Sequence, residues 1–137
     1  RNEISNLLAE LWEMSRPGDV KTEKSPKDEY HGELVARFLG LLVNNCKTEH
    51  EITYYATQLC VTPIYLSRAI KKMSGRPASQ WISHAIMTTA KRLLRNPNIT
   101  VNEVAAELSF SDQSSFGKFF KKHAGYSPLS YRNRVKS

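Results

Sequence analysis

Residues 52–81 read ITYYATQLCVTPIYLSRAIKKMSGRPASQW, and residues 101–131 read VNEVAAELSFSDQSSFGKFFKKHAGYSPLSY. The second stretch repeats the first if it carries one extra residue in its central turn. In that register Ile52, Ala56, Leu59, Leu66, Lys71, Lys72, Gly75 and Trp81 align with Val101, Ala105, Leu108, Phe116, Lys121, Lys122, Gly125 and Tyr131. Each copy has the pattern of a helix, a tight turn and a basic helix. A repeated unit implies a repeated role, so the sequence predicts two copies of one helical motif.

Capping residues predict where the helices of the first copy begin and end. Thr48 and Glu51 have the spacing of a capping box before the first helix. Thr62 followed by proline is typical of a helix start, because threonine can accept a backbone hydrogen bond there and the missing N–H of proline costs nothing. Gly75 predicts the end of the second helix, since glycine adopts the left-handed conformation without steric cost.

The second copy carries similar signals. Thr100 and Glu103 form another capping-box pattern before its first helix. Ser111 is predicted to cap the basic helix, with Asp112 in the first turn, where a negative charge is favourable against the helix dipole. Gly125 again predicts the end of that helix.

The remaining segments complete an all-α prediction. A long helix is predicted from Pro77 to about Asn96, where an Asn-Pro-Asn sequence ends it. Another helix, apolar on more than half of its circumference, is predicted from about Glu29 to Asn45. The predicted fold class is therefore all-α, with two helix-turn-helix subdomains joined by a long helix.

The first 28 residues have a different character. Residues 1–15 carry apolar side chains at the spacing of an amphipathic helix. Residues 16–28 are charged, contain two prolines and a glycine, and read as a linker. The apolar stripe of residues 1–15 needs a partner, which could be its own chain, a second copy in a homodimer, or an upstream domain. The chain begins at Arg1 rather than Met, so we expect a sensor or dimerisation domain to precede it.

The positive charge is concentrated in the repeated part of the chain. The net charge is +7, but residues 1–50 hold seven Lys/Arg against nine Asp/Glu, whereas residues 51–137 hold thirteen against four. Lysine and arginine that neutralise phosphates release condensed counterions, so a basic half of this kind suggests a polyanion partner. A basic but merely solvated surface explains the charge alone equally well.

Several other functions find no support in the composition. Cys46 and Cys60 are the only cysteines, and no histidine stands at ligand spacing from them, so a zinc site is not expected. Both cysteines lie in apolar, helical-looking sequence, where a reduced thiol behaves as a small hydrophobe. No apolar run is long enough to cross a bilayer, so we expect a cytoplasmic protein without membrane contact. We also expect no cofactor.

Many spaced positions together resemble the DNA-binding domain of AraC/XylS-type transcriptional regulators. The second copy carries ITVNEVAAELSF at residues 99–110, Ser115-Phe116, FFKK at residues 119–122, and the closing Gly-x-Ser-Pro-x-x-Tyr-Arg at residues 125–132. The first copy matches at Tyr55-Ala56, Leu59, Pro63, Tyr65-Leu66-Ser67, Lys71-Lys72 and Gly75. The resemblance covers residues 29–135 and implies seven helices in two helix-turn-helix lobes. It also implies a transcription regulator that places two recognition helices in successive major grooves of double-stranded DNA.

The spacing of the two lobes agrees with this implication. A helix from Pro77 to Asn96 would be about 30 Å long at 1.5 Å per residue. Successive major-groove segments on one face of B-DNA lie about 34 Å apart.

The resemblance places the DNA contacts of the first lobe on its second helix. The positions that match base-reading residues are Ile64, Ser67 and Arg68, and Arg68 is the expected bidentate partner of a guanine. Tyr65, Lys71 and Lys72 are expected on the same outward side, with Tyr65 against sugar or phosphate and the lysines against phosphates.

The matching positions of the second lobe carry different side chains. The expected contact residues are Gln113, Ser114, Ser115, Gly117, Lys118, Lys121 and Lys122. Gln113 could pair with adenine and Lys118 with guanine, but Gly117 has no side chain to read with. We therefore expect less base discrimination here than in the first lobe. Phosphates are also expected at the helix N-termini beside Thr100 and Ser111.

Three other functions stay open on sequence grounds. A non-specific or architectural DNA binder would also explain the charge and Gly117. A DNA-repair methyltransferase can carry a similar lobe but needs an activated cysteine, and neither Cys46 nor Cys60 has an evident activating partner. A protein-interaction bundle would not require the charge to fall on the repeats. No enzyme activity is expected, and RNA polymerase is an expected partner beside DNA.

Overall fold

The computed structural model describes residues 26–136, with side chains described for residues 29–135. These residues form seven helices: α1 Pro26–Asn45, α2 Ile52–Gln58, α3 Pro63–Ser74, α4 Ala78–Leu94, α5 Val101–Glu107, α6 Gln113–Ala124 and α7 Pro128–Lys136. No strand occurs in this range, and the all-α prediction is confirmed. The predictions for residues 1–25 lie outside the described part. Residues 26–28, which the sequence assigned to the linker, are already helical.

The chain divides into two compact units, the first ending at Ala85 and the second beginning at Ile86. The first unit contains α1, α2, α3 and the beginning of α4. The second contains the rest of α4 with α5, α6 and α7. Each helix-turn-helix pair, α2 with α3 and α5 with α6, therefore lies within one unit.

Helix α1 supplies much of the core of the first unit. Its buried apolar residues are Leu34, Val35, Phe38, Leu39 and Leu42. The Phe38 ring meets Tyr55 of α2 edge to face at 5.4 Å, and the Tyr55 hydroxyl donates to the Glu49 carbonyl at 2.8 Å. Desolvation by burial raises the pKa of Tyr55 above its ordinary value, so the phenol stays protonated.

The turn between α2 and α3 begins with the same backbone conformation as the turn between α5 and α6. Cys60 and Ser109 both adopt left-handed φ angles, 59° and 65°. The amide that follows each then donates back into the preceding helix, Val61 to Ala56 at 3.0 Å and Phe110 to Ala105 at 2.9 Å. Cys60 is exposed in this turn, so its predicted apolar, helical setting is wrong. Cys46 is buried as predicted.

The extra residue of the second copy lies in its turn and is Ser111. Asp112, not Ser111, is the N-cap of α6, and its carboxylate accepts from the Ser115 amide at 2.7 Å. Thr62 caps α3 by accepting from the Tyr65 amide at 3.1 Å. When Thr62 is aligned with Asp112, the residues of α3 and α6 match one to one. The inserted Ser111 therefore lies before the helix, and the N-cap is the next residue, Asp112.

The predicted capping box before the first copy is also wrong. Glu51 is the N-cap of α2 and makes no side-chain cap hydrogen bond. The Thr48 hydroxyl instead donates to the Asn45 carbonyl at 3.4 Å, because Thr48 belongs to the turn that follows α1. The box at Thr100 and Glu103 is confirmed, with both of its hydrogen bonds formed.

Helix α4 is shorter than predicted. It has 17 residues, which corresponds to about 25 Å. Beyond Leu94 the Asn96 amide bonds to the carbonyl of Leu93, three residues back, so the helix tightens and stops before Pro97.

Arg132 of α7 ties this end of α4 to the segment that precedes α5. Its Nε donates to the Leu94 carbonyl at 2.9 Å. Its Nη2 donates to the carbonyls of Asn96 and Ile99. A planar guanidinium can satisfy several carbonyls at once, so Arg132 holds the start of the second helix-turn-helix in place.

A hydrogen bond between the side chains of Trp81 and Ser74 connects α4 to the end of α3. The indole Nε1 of the nearly fully buried Trp81 donates to Ser74 Oγ at 3.0 Å. The same Oγ donates to the Ile70 carbonyl at 2.6 Å and accepts from the Arg76 amide. In the second repeat the position of Ser74 is Ala124, and the ring that matches Trp81 belongs to Tyr131, whose hydroxyl accepts from Arg95.

Replacing Ser74 with alanine should destabilise the protein by about 1–3 kcal/mol, because the buried indole N–H would lose its acceptor. The measurement is the free energy of unfolding from urea titrations followed by circular dichroism. Ser79→Ala, at an exposed position in the first turn of α4, is the matched control and should change stability by less than about 0.5 kcal/mol. Equal effects of the two substitutions would contradict the role of this hydrogen bond.

Candidate nucleic-acid interface

Helix α3 has one face in the core and an outer face made of predicted contact residues. Leu66, Ala69 and Ile70 are buried. Arg68, Lys71 and Lys72 are exposed, Ser67 is half-buried, and the Ile64 side chain is 67% exposed. A single exposed aliphatic side chain is common on protein surfaces, so this exposure leaves Ile64 accessible for an apolar contact but does not by itself mark a site.

Both ends of α3 are anchored by local hydrogen bonds. Thr62 caps the N-terminus, and Gly75 ends the helix with a left-handed φ of 75°. The Lys71 ammonium donates to the Gly75 carbonyl at 3.2 Å, where a positive charge also complements the helix dipole. An ammonium has three donors, so Lys71 can keep this bond and still donate to a phosphate.

Tyr65 differs from its prediction. It was expected on the outward side, but it is half-buried, and its hydroxyl oxygen lies 3.1 Å from Nε2 of His31 on α1. The two rings meet edge to face at 5.6 Å. The reason is that Tyr65 stands between the buried and the exposed face of α3, where α1 covers one side of its ring.

Helix α6 has the same length as α3, twelve residues, and a similar division of its faces. Phe116 and Phe120 are fully buried. The exposed predicted contact residues are Gln113, Ser114, Lys118, Lys121 and Lys122, while Ser115 and Gly117 are half-buried.

The basic end of α6 owes its charge to its two lysines. The rings of His123 and Phe119 lie 4.5 Å apart. Desolvation, and secondly the charge of Lys122, lowers the pKa of His123 below its ordinary value. His123 is therefore neutral at neutral pH and adds no charge to Lys121 and Lys122.

The N-termini of α5 and α6 are less suited to phosphate than predicted. The carboxylate of Asp112 occupies the Ser115 amide, and the carboxylate of Glu103 accepts from the Thr100 amide at 2.8 Å. Both carboxylates repel an approaching phosphate. The first turn of α3 contains no acidic residue and its N-cap is the neutral Thr62, so no carboxylate repels an anion at this helix start.

The Asp112 cap should make stability depend on pH in acid. The backbone hydrogen bond from Ser115 is the main cause that lowers the pKa of Asp112 below its ordinary value of 3.8. A carboxyl group whose pKa is lower in the folded state stabilises the fold above its unfolded pKa, and this contribution is lost as pH falls through the folded pKa. Asp112→Asn, which keeps a capping acceptor, should be less stable than wild type at pH 7, and this difference in stability should shrink as the pH falls below 3.8. Thermal unfolding of both proteins at several pH values measures the difference in their stability. A difference that stays the same at every pH would contradict this role of Asp112.

Gly117 occupies a position on α6 that tolerates a side chain. A Cβ at this residue would meet no atom within 4 Å. The aligned residue of α3, Ser67, carries a side chain on the same part of the helix. The glycine is therefore not required by packing within the described residues.

Gly117→Ala should stabilise the protein by about 0.4–1 kcal/mol, because alanine loses less backbone entropy on entering a helix. Urea unfolding measures this gain. If the backbone of α6 must approach DNA closely, the same variant will bind DNA more weakly despite its higher stability. A decrease in stability would show that the helix does not tolerate the methyl group.

Other kinds of site find no support in the described residues. No group of three or more His, Cys, Asp or Glu in residues 26–136 is placed to hold a metal ion. None of the helices in that range is long and apolar enough to cross a membrane.

Sequence reasoning missed one residue that contacts this surface and assigned the wrong role to another. His31 contacts Tyr65 across 34 positions of sequence, and no local pattern marks such a pair. Ser111 was assigned to the wrong role, although the one-residue insertion was a usable signal. Its hydroxyl lies 3.2 Å from that of Ser115, so the inserted residue engages a predicted contact residue.

A family model described as a helix-turn-helix domain matches residues 55–134, more than half of the chain. The uncharacterized HTH-type transcriptional regulator YobQ of Bacillus subtilis is 36% identical over 75 residues, which cover 55% of this chain and 31% of that protein. The Msm operon regulatory protein of Streptococcus mutans is 28% identical over 135 residues, which cover 98% of this chain and 47% of that protein. The chain thus spans less than half the length of these two relatives.

The HTH-type transcriptional activator AarP of Providencia stuartii is 26% identical over 104 residues, which cover 76% of this chain and 77% of that protein. A transcriptional regulator from Chromobacterium violaceum with an AraC-type DNA-binding domain superposes with a TM-score of 0.66 at 17% identity, covering 77% of this chain and 95% of that one. The DNA-binding domain of the global transcriptional factor AdpA, solved with a target DNA, gives a TM-score of 0.64 at 22% identity, covering 77% and 92%. At these identities the structural likeness concerns the fold.

Proposed function

Since the chain belongs to the AraC-type family of helix-turn-helix proteins, we propose that it is a sequence-specific regulator of transcription that binds double-stranded DNA. Its two recognition helices, α3 and α6, enter successive major grooves. The relatives named above are transcriptional regulators and not enzymes, which does not favour the methyltransferase alternative.

The observation that carries the proposal is the pair of matched, exposed helices. Both α3 and α6 begin at a side-chain cap, run for twelve residues, end at a left-handed glycine, and carry two lysines in the last turn. Leu66 and Ile70 of α3, and Phe116 and Phe120 of α6, are buried in the core of their own unit. A helix with one buried face and a basic, polar outer face has what major-groove binding requires.

The side chains of α3 are assigned distinct roles. Arg68 is exposed and has the five donors needed for a bidentate bond to the O6 and N7 atoms of guanine. Ile64 can contact a thymine methyl group. Lys71 and Lys72 lie one turn further and neutralise phosphates, which contributes affinity without sequence information.

Helix α6 is proposed to read fewer bases. Gln113 and Lys118 are exposed and can reach base edges, but Gly117 offers no side chain where α3 has Ser67. Lys121 and Lys122 supply phosphate contacts. The second helix therefore adds affinity more than discrimination.

The proposal includes RNA polymerase and a second copy of the chain as partners. AarP is named a transcriptional activator and matches most of this chain, which supports action at promoters and hence contact with RNA polymerase. Dimerisation, through residues 1–15 or an upstream domain, belongs to the same proposal. Co-purification with RNA polymerase on a promoter fragment, and the mass of the full-length protein in solution, test these two points.

Selection of duplexes from a random library tests the central proposal. The protein should enrich a sequence that it binds at least about a thousandfold more tightly than bulk DNA at the same salt concentration. Hydroxyl-radical footprinting on that duplex should protect two segments about one helical turn apart. Tight binding without enrichment would instead identify a non-specific or architectural DNA binder, and no binding would reject both functions.

A further inference from the structure

A histidine that the proposed function does not use holds the hydroxyl of Tyr65. His31 of α1 is only 5% exposed, and its Nε2 lies 3.1 Å from the Tyr65 hydroxyl oxygen. The ring of Tyr30 lies 6.3 Å from each of the two rings. The first part of α1 therefore packs around the Tyr65 side chain at the start of α3.

The surroundings of His31 indicate which of its nitrogens carries the hydrogen. Its Nδ1 is buried and has no hydrogen-bond partner among the residues that the structure describes. A neutral imidazole has one N–H, and a buried N–H without an acceptor is among the rarest unsatisfied groups in proteins. The hydrogen therefore belongs on Nε2, where it is donated to the Tyr65 oxygen.

This assignment leaves the hydroxyl hydrogen of Tyr65 available. The tyrosine oxygen accepts from His31, so its own O–H need not point at the imidazole. Tyr65 lies in the first turn of α3, three residues after the Thr62 cap, where the helix dipole favours an anion. No acidic residue shares that turn.

From this arrangement, and resting on the proposed function, we propose that His31 is a positioning residue that holds the Tyr65 hydroxyl ready to donate to a DNA phosphate. This pairing of a histidine with a tyrosine hydroxyl occurs in the first unit and has no counterpart at the aligned position of α6. The residue of α6 that aligns with Tyr65 is Ser115, which has no phenol and whose hydroxyl lies 3.2 Å from that of Ser111. The first helix-turn-helix thus gains a pre-oriented neutral phosphate contact that the second lacks.

Four variants separate this role from simple packing. Tyr65→Phe removes the hydroxyl, His31→Phe keeps an aromatic ring without a donor, His31→Gln keeps an amide N–H close to the position of Nε2, and His31→Asn places its amide too far back. The dissociation constant of each is measured on a duplex selected by wild type and on an unrelated duplex, at several salt concentrations. Thermal unfolding establishes that each variant is folded.

Tyr65→Phe, His31→Phe and His31→Asn should each weaken binding by about 3- to 15-fold on both duplexes, because a phosphate contact is independent of sequence. His31→Gln should stay within about twofold of wild type. The double variant His31→Phe/Tyr65→Phe should bind no more weakly than either single variant. The dependence of binding on salt should not change, since a neutral hydroxyl displaces no counterion.

Two results would overturn the proposal. The first is wild-type affinity in Tyr65→Phe, and the second is losses in the two single variants that multiply in the double variant. If His31→Phe does not fold, the contrast between His31→Gln and His31→Asn decides, and equal binding by these two variants counts against the proposal. Absence of any sequence preference in wild type would reject the proposed function, yet the unrelated duplex would still test the hydroxyl contact.

Discussion

Phe120→Ala is expected to destabilise the second unit by about 3–5 kcal/mol, enough to unfold much of it at room temperature. Phe120 is fully buried. Its ring lies within 6.4 Å of the rings of Phe116, Tyr126 and Tyr131. Removing it leaves a cavity between α6 and α7 that a unit of this size cannot refill, and loss of α6 should abolish high-affinity DNA binding.

The measurement is urea unfolding followed by circular dichroism, together with amide NMR spectra that resolve the two units. Lys121→Ala, at the neighbouring exposed position, is the matched control and should change stability by less than about 0.5 kcal/mol. Signals of residues 29–85 should persist in Phe120→Ala when those of the second unit are lost. A cost below about 1 kcal/mol would mean that Phe120 is not part of a tightly packed core.

Arg68→Ala is expected to weaken binding to the selected duplex by about 1–3 kcal/mol, or roughly 5- to 150-fold, and to relax the preference at one base pair. The reason is the loss of two hydrogen bonds to a guanine edge that no other exposed side chain of α3 can replace. Selection repeated with the variant should recover the same site, with that position now variable.

Lys72→Ala is the matched comparison, because it removes a positive charge from the same helix at a position assigned to phosphate. It should weaken binding to all duplexes about equally and make binding less dependent on salt by about one counterion. If both variants change affinity, preference and salt dependence in the same way, the assignment of Arg68 to a base and Lys72 to a phosphate is wrong.

Much of the fold follows from local signals in the sequence. Gly75 and Gly125 end α3 and α6 as predicted, Thr62 caps α3, and the box at Thr100 and Glu103 forms. These features depend on interactions within three or four residues of one another, so the sequence contains all of the atoms involved. The outward side chains of α3 and α6, except that of Tyr65, could be predicted for the same reason, since a helix of known register has a known buried face.

The local reasoning failed where two signals competed. Ser111 and Asp112 are both good N-caps, and the choice depends on which of them the preceding left-handed turn at Ser109 brings to the helix end. Thr48 and Glu51 had the spacing of a capping box, but the turn after α1 takes up the Thr48 hydroxyl.

By itself, the sequence determined the helices, their register and the faces that carry Arg68 and Lys118, because helix starts, stops and periodicity depend on near neighbours. Only the tertiary structure decided that Tyr65 is held by His31 and that Arg132 donates to three carbonyls, one at the end of α4 and two beyond it. Those contacts join residues more than thirty positions apart. Such pairs are brought together by the packing of whole helices, and packing depends on the combined shape of many side chains that no local pattern records.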